Sequence, residues 1–140
     1  MIRISHQGMF NDGGTPFALA AALVIAVGQQ ASFAHYQKFA ARTANQGEVD
    51  LADAGEVAVG VFVDVSPKGD TCTVETKGYE WVKATLTGVV VGGLVTVGAG
   101  GLAVKIAGAT PTAAELLSGV WQVDAIDANK GVLINLETRL

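Results

Sequence analysis

The chain has 140 residues, a net charge of −4 and a pI near 5.0, and half of it is apolar, mostly Ala and Val with few aromatics. That length allows one domain with an appended arm, and an acidic chain with no Lys/Arg cluster excludes an ordinary nucleic-acid binder, which presents a basic face. The single cysteine, Cys72, excludes an intramolecular disulfide and so any need for an oxidising compartment.

Residues 1–16 show no sustained period and contain Asn11-Asp12-Gly13-Gly14. They read either as an arm that lies on something or as a frayed terminus. The run Phe17–Val27 holds eleven residues without a charge, whereas a membrane-spanning helix needs about 20. A secretion signal fits poorly, because the preceding stretch carries Asp12 and only Arg3 as a basic residue. The expectation is a buried segment ending in a strand around Leu23–Val27. Between Gln30 and Ala41, both a helical spacing (Phe33, Tyr36, Ala40) and a two-residue alternation are present, and periodicity does not choose between them. Thr43–Gly47 is a turn.

From Val57 the pattern is that of strands. Val57, Val59, Val61, Val63 and Val65 alternate with Ala58, Gly60, Phe62 and Asp64, which predicts two distinct faces. Ser66-Pro67-Lys68-Gly69-Asp70 is a turn, since Pro presets φ and Gly accepts positive φ. Thr71–Thr76 returns as a strand carrying Cys72, which reads as a small core residue. Lys77-Gly78 suits a tight hairpin into Tyr79–Leu86, with Trp81 and Lys83 on one face and Val82, Ala84 and Leu86 on the other. Strands are expected at Leu94–Val97 and Leu102–Ile106, joined by Gly98–Gly101. Thr112-Ala-Ala-Glu115 matches a helix capping box and predicts a short helical turn to Ser118, ended by Gly119. A last hairpin follows, Gly119–Ile126 and Val132–Glu137 across Asp127–Gly131, with Val132, Ile134 and Leu136 on one face.

Short strands at this spacing predict an all-β fold, a small antiparallel barrel or sandwich with an extended N-terminal arm and at most one short helix. The division is an arm over residues 1–16 and one β-rich domain over 17–140. No set of residues equipped for chemistry stands out. His6 and His35 form no ligand pair, and Asp124 and Asp127 are explained by turn formation. Ser5 lies beside His6 without the geometry that nucleophile activation needs. Ser32, Ser66 and Ser118 lack an elbow motif. Glu48, Asp50, Asp53 and Glu56 read as a solvated acidic loop. Gly92-Gly93 and Gly98–Gly101 lack the GK[ST] of a phosphate loop, and Lys77 lacks the flanks of a carrier lysine. The expectation is therefore no enzyme, no metal and no cofactor.

Four blocks, in order, carry a resemblance to a known family. They are His35-Tyr36-Gln37-Lys38-Phe39 before Val49-Asp50-Leu51-Ala52; Ala54–Val61; the Ser66–Asp70 turn into Thr73-Val74-Glu75 and Gly78; and Gly88–Val97 with Gly100–Val104. Over roughly residues 34–137 the chain resembles the small head-decoration, or capsid cement, proteins of tailed bacteriophages. It departs from that pattern at Gly92-Gly93, where the family has Gly-Asp, at Trp121, and in the length and apolarity of the segment before residue 34. The resemblance implies a strand at 35–41. It also implies a non-catalytic virion protein, made in the host cytoplasm, that binds and stabilises the outer surface of the expanded head. Its partners would be the major capsid protein and itself, a homotrimer ahead of a dimer, with no nucleic acid and no membrane. The contact residues expected on that reading are Ile2, Ile4, Met9 and Phe10 of the arm, together with Phe62, Tyr79 and Trp81, since surface aromatics are common interface anchors. The alternative is another structural β module, from a phage tail or baseplate or from a surface adhesin.

Overall fold

A computed structural model of the chain describes residues 14–19, 35–65 and 71–140, the first stretch by its backbone path. The expected strand at Leu23–Val27, the Ser66–Asp70 turn and the arm residues Ile2, Ile4, Met9 and Phe10 lie outside the described residues.

Five strands form the first unit: β1 (Gly14–Leu19), β2 (Phe39–Arg42), β3 (Glu48–Leu51), β4 (Ala58–Val65) and β5 (Thr71–Glu75). Their pairing runs β1–β3–β2–β4–β5 and returns from β5 to β1, closing a small barrel. All pairs are antiparallel except β1–β3. Closure leaves these Val-rich strands no free edge, which removes the hazard of edge-to-edge association. Gly14, Thr15 and Pro16, which the sequence places in the arm, pair with Glu75, Val74 and Thr73.

The chain then builds two three-stranded sheets. One contains β6 (Tyr79–Val82), β10 (Ala125–Asp127) and β11 (Gly131–Asn135), in the order β10–β11–β6. The other contains β7 (Leu94–Val97), β8 (Ala103–Lys105) and β9 (Val120–Gln122), in the order β8–β7–β9. Between β8 and β9 lies the helix α1 (Ala113–Ser118). Its capping box is complete: the Glu115 amide donates to Thr112 Oγ1 at 3.1 Å, and the Thr112 amide donates to Glu115 Oε1 at 2.9 Å. The all-β expectation, with its short helix, is what the described residues show.

Two apolar cores organise this arrangement. The smaller one, Ala40, Val49, Phe62, Val65, Cys72 and Val74, draws only on barrel strands. The larger one joins Phe39, Ala41, Ala58 and Val61 of the barrel to Val82, Val95, Val97, Trp121, Val132 and Ile134 of the two small sheets. Strand β4 therefore faces both cores, with Val61 in one and its neighbour Phe62 in the other, and both are fully buried.

Several expectations are corrected here. The alternation in β4 does not sort the valines onto one face. Register shifts at Ala40/Ala41 and at Phe62/Asp64 reset it, so Val59 packs with Phe62 while Ala58 packs with Val61. Val57 lies before the strand and is exposed. The strand expected at 35–41 runs over Phe39–Arg42 instead, because Gln37 takes a positive φ of 57° in the turn that precedes it. Lys77-Gly78 does not join a hairpin. β5 pairs with β4 and β1, whereas β6 pairs with β11, so this turn carries the chain out of the barrel into the next sheet. The last hairpin is real across β10 and β11, but the strand before it breaks at Val123-Asp124, and β9 joins β7 instead.

Candidate functional site

Two of the residues singled out from the sequence come together on the outer face of the β10–β11–β6 sheet. Tyr79 and Trp81 are two apart on β6, so their side chains leave the same face. Across the ladder, Trp81 lies opposite Leu133, which lies opposite Ala125, and Tyr79 lies opposite Asn135. The opposite face of this sheet sends Val82, Val132 and Ile134 into the larger core. Burial thus alternates along the strand, which frees the Tyr79 face for contact. Tyr79 is 62% exposed and Trp81 is half-buried.

The β10–β11 turn bounds this surface. Asp127 Oδ1 accepts hydrogen bonds from the amides of Asn129 at 2.8 Å and Lys130 at 3.0 Å, the turn-forming role its sequence position suggests. Those two amides, with the Lys130 charge, hold the Asp127 carboxyl below its ordinary value. The turn so fixed places Lys130 Nζ 5.3 Å from the centre of the Trp81 ring, within cation–π range. Lys83 Nζ donates to the Asn129 carbonyl at 3.2 Å, tying the turn to the end of β6. The result is an aromatic and aliphatic stripe with a cationic border.

Phe62 does not belong to this surface. It is completely buried, its ring 5.5 Å from that of His35 and edge-on to it, so the expectation of a solvent-reachable aromatic is corrected. The turn and bulges that displace the alternation in β4 turn Phe62 inward.

The sequence reading gave no weight to a second exposed group, Val90 and Val91, which are 62% and 63% exposed in the loop before β7. Its signal is the run Gly88-Val-Val-Val-Gly-Gly93, an apolar triplet framed by glycines, which β propensity disguises as a strand. The loop borders an open cleft of about 640 Å³ lined by Leu94, Lys105, Ile106 and Ala107 among others. A neighbouring cleft of about 460 Å³ runs between α1 and the Ala54-Gly55 turn. The titratable side chains lining the two are Lys105 and Glu115. Glu115 is occupied by its cap and by the Ala107 amide at 2.9 Å, and these bonds hold its carboxyl below the ordinary value.

The acidic group Glu48, Asp50, Asp53 and Glu56 does not converge. Glu48 Oε1 accepts from Thr43 Oγ1 and Asn45 Nδ2, Asp50 Oδ1 from the Leu51 amide, and Glu56 Oε2 from the Asp53 amide. Those three bonds are local, whereas Asp53 Oδ1 accepts from the distant Gly100 amide at 3.4 Å. Among the described residues no three His, Cys, Asp or Glu side chains gather as metal ligands. Cys72 is buried in β5 within the smaller core.

No protein-family model matches the chain, and no curated protein matches it. Among solved structures, the fold is shared with the N base of the head fiber protein gp8.5 of bacteriophage phi29, at a TM-score of 0.53 and 19% identity, over 91% of this chain and 96% of that one.

Proposed function

We propose that this chain is a non-catalytic structural protein of a bacteriophage head, seated on the outer surface of the expanded capsid, which it stabilises. The observation that carries this reading is the fold shared with the base of a phage head fiber along nearly the whole length of both chains. The sheet face bearing Tyr79, Trp81 and Leu133 suits the role. Aromatic side chains presented on a rigid sheet supply contact area at small entropic cost and are frequent anchors of interfaces. Each copy adds a modest contact, and repetition over a symmetric lattice multiplies its effect. A protein that binds only the expanded state stabilises that state by linkage.

Quantitative mass spectrometry of purified virions tests this directly. The expected result is a copy number in fixed ratio to the major capsid protein, near one to one or a simple fraction of it. A handful of copies per particle would overturn head binding and point to a tail component. Absence from virions would remove the phage assignment altogether.

A further inference from the structure

The Tyr79–Trp81 face differs in charge from the chain as a whole. The protein carries a net charge of −4. On this face Tyr79 and Trp81 are neutral, as are Asn135, Leu133 and Ala125 across the ladder. The turn that borders it brings two ammonium groups, Lys83 and Lys130, against one carboxylate, Asp127. Two against one leaves one surplus positive charge beside an aromatic stripe on an acidic protein.

The geometry fixes where that charge stands. Asp127 Oδ1 is committed to the backbone of its own turn, accepting from the Asn129 and Lys130 amides at 2.8 and 3.0 Å. Lys83 reaches the Asn129 carbonyl from the end of β6, so the turn is held from both sides. Lys130 Nζ is thereby placed over the Trp81 ring, 5.3 Å from its centre. A ring face attracts a cation without cancelling its charge. The ammonium has three donors and no acceptor, so an oxygen acceptor completes it, and a carboxylate does so best, since charge-assisted bonds are about twice as strong as neutral ones. Trp81 and Tyr79 stand two residues apart on one strand, about 6.6 Å, so a partner that meets the ammonium and both rings spans about 10 Å. A sugar stacks on a bare ring, whereas this indole carries an ammonium over its face. Charge complementarity therefore favours an acidic protein surface over a glycan.

We propose that the Tyr79–Trp81 face docks on a protein surface of the expanded head that sets an Asp or Glu carboxylate against Lys130 and aliphatic side chains against Trp81 and Leu133, a reading that rests on head binding. Lys130 is then the residue that selects the partner. A matching carboxylate is drawn in from a distance, and a cation in its place is repelled.

Cosedimentation of the full-length chain with expanded heads that lack this protein tests it. Native affinity should fall at least about tenfold as NaCl rises from about 50 mM to about 500 mM, because the contact pairs charges at an exposed border. Lys130→Glu should weaken binding at least about tenfold at low salt, and Lys130→Arg, which keeps the charge, should stay within about threefold. Lys130→Gln covers the case in which a second acid beside Asp127 unsettles the turn. It should weaken binding about threefold or more and flatten the salt dependence. Native binding by both Lys130→Glu and Lys130→Gln would overturn the acidic partner and leave head binding standing. No binding by the native chain would overturn head binding and this proposal with it. Sedimentation velocity of the free proteins supplies the remaining arm: an oligomer that Lys130→Glu converts to monomer would assign the face to a second copy and overturn the proposal, and equal masses are expected.

Discussion

Phe39 and Trp121 stack nearly parallel, their ring centroids 4.8 Å apart and their planes 16° from each other. One ring comes from the barrel and the other from the β8–β7–β9 sheet, and both are buried in the larger core. The pair fastens two units whose backbones belong to different sheets. The guanidinium carbon of Arg139 also lies over the indole, 5.4 Å from the ring centre.

Trp121→Ala should therefore destabilise the protein by about 3–5 kcal/mol, the range for emptying an aromatic site in a core. Trp121→Phe keeps a ring against Phe39 and should cost clearly less. Urea unfolding followed by far-ultraviolet circular dichroism gives both values. A loss under about 1 kcal/mol for the alanine variant would mean that the stack does not bind the two units.

Gly131 begins β11 at a φ of 101°, and a Cβ there would run into the Val82 carbonyl of the paired strand. Gly131→Ala combines backbone strain with a steric clash against main chain, and a loss of at least about 2 kcal/mol is expected. Gly47, at a φ of 72° with no atom within 4 Å of its Cβ position, supplies the comparison. Gly47→Ala should cost only the left-handed strain of about 1–2 kcal/mol. Equal losses at the two sites would show that the Val82 contact carries no weight.

The cap of α1 makes two checks possible. Thr112→Ala removes the hydroxyl that receives the Glu115 amide and should cost about 0.5–2 kcal/mol. The Glu115 carboxyl is held below its ordinary 4.5 by the amides of Thr112 and Ala107. Its contribution is therefore present above pH about 4.5 and is lost as the pH falls through the lower folded value. Glu48 and Asp127 are lowered in the same way, Glu48 chiefly by Asn45 and Asp127 chiefly by the Asn129 amide. The melting temperature should fall between pH about 5 and about 3, and less steeply in Glu115→Gln. Parallel curves for the two proteins would show that this cap does not sense pH.

Tyr79→Ala and Trp81→Ala separate surface from core. If the head is the partner, each should weaken binding to expanded capsids at least about tenfold in a cosedimentation titration. Tyr79→Ala should leave the melting temperature within about 2 °C, since its ring stands in solvent. Full binding by the double variant would move the capsid contact to another face.

What the sequence disclosed divides along the range of the interactions involved. The capping box of Thr112 and Glu115, the turn set by Asp127 and the strand Leu94–Val97 were legible because the determining contacts lie within a few residues. So was the shared burial of Val132, Ile134 and Leu136. The partners of strands were not legible. Nothing local to Lys77-Gly78 tells that β6 will pair with β11 rather than β5, since the choice rests on a strand some fifty positions later. Phe62 was misplaced for a related reason. A bulge inserts one residue without leaving a composition signal, and a shift of one residue reverses every side chain beyond it. Of the described candidates for contact, Tyr79 and Trp81 sit at an accessible face, and the ladder with Leu133 and Asn135 that completes it could be known only from the fold.

The neighbouring positions of Val61 and Phe62 in separate cores bear on how such a protein can change over time. Neither the barrel nor the pair of small sheets can be inherited, duplicated or transplanted alone, because one strand furnishes a wall to each. A single-codon insertion within β4 would exchange the two side chains and spoil both interiors at once. Variation in length is left to connectors that no core depends on, such as Ala107–Thr110 and Ala128–Lys130, all of them solvent-exposed. A lineage of such chains would therefore keep its strands in step while its loops drift, and its relatives would share a shape long after their sequences had ceased to match.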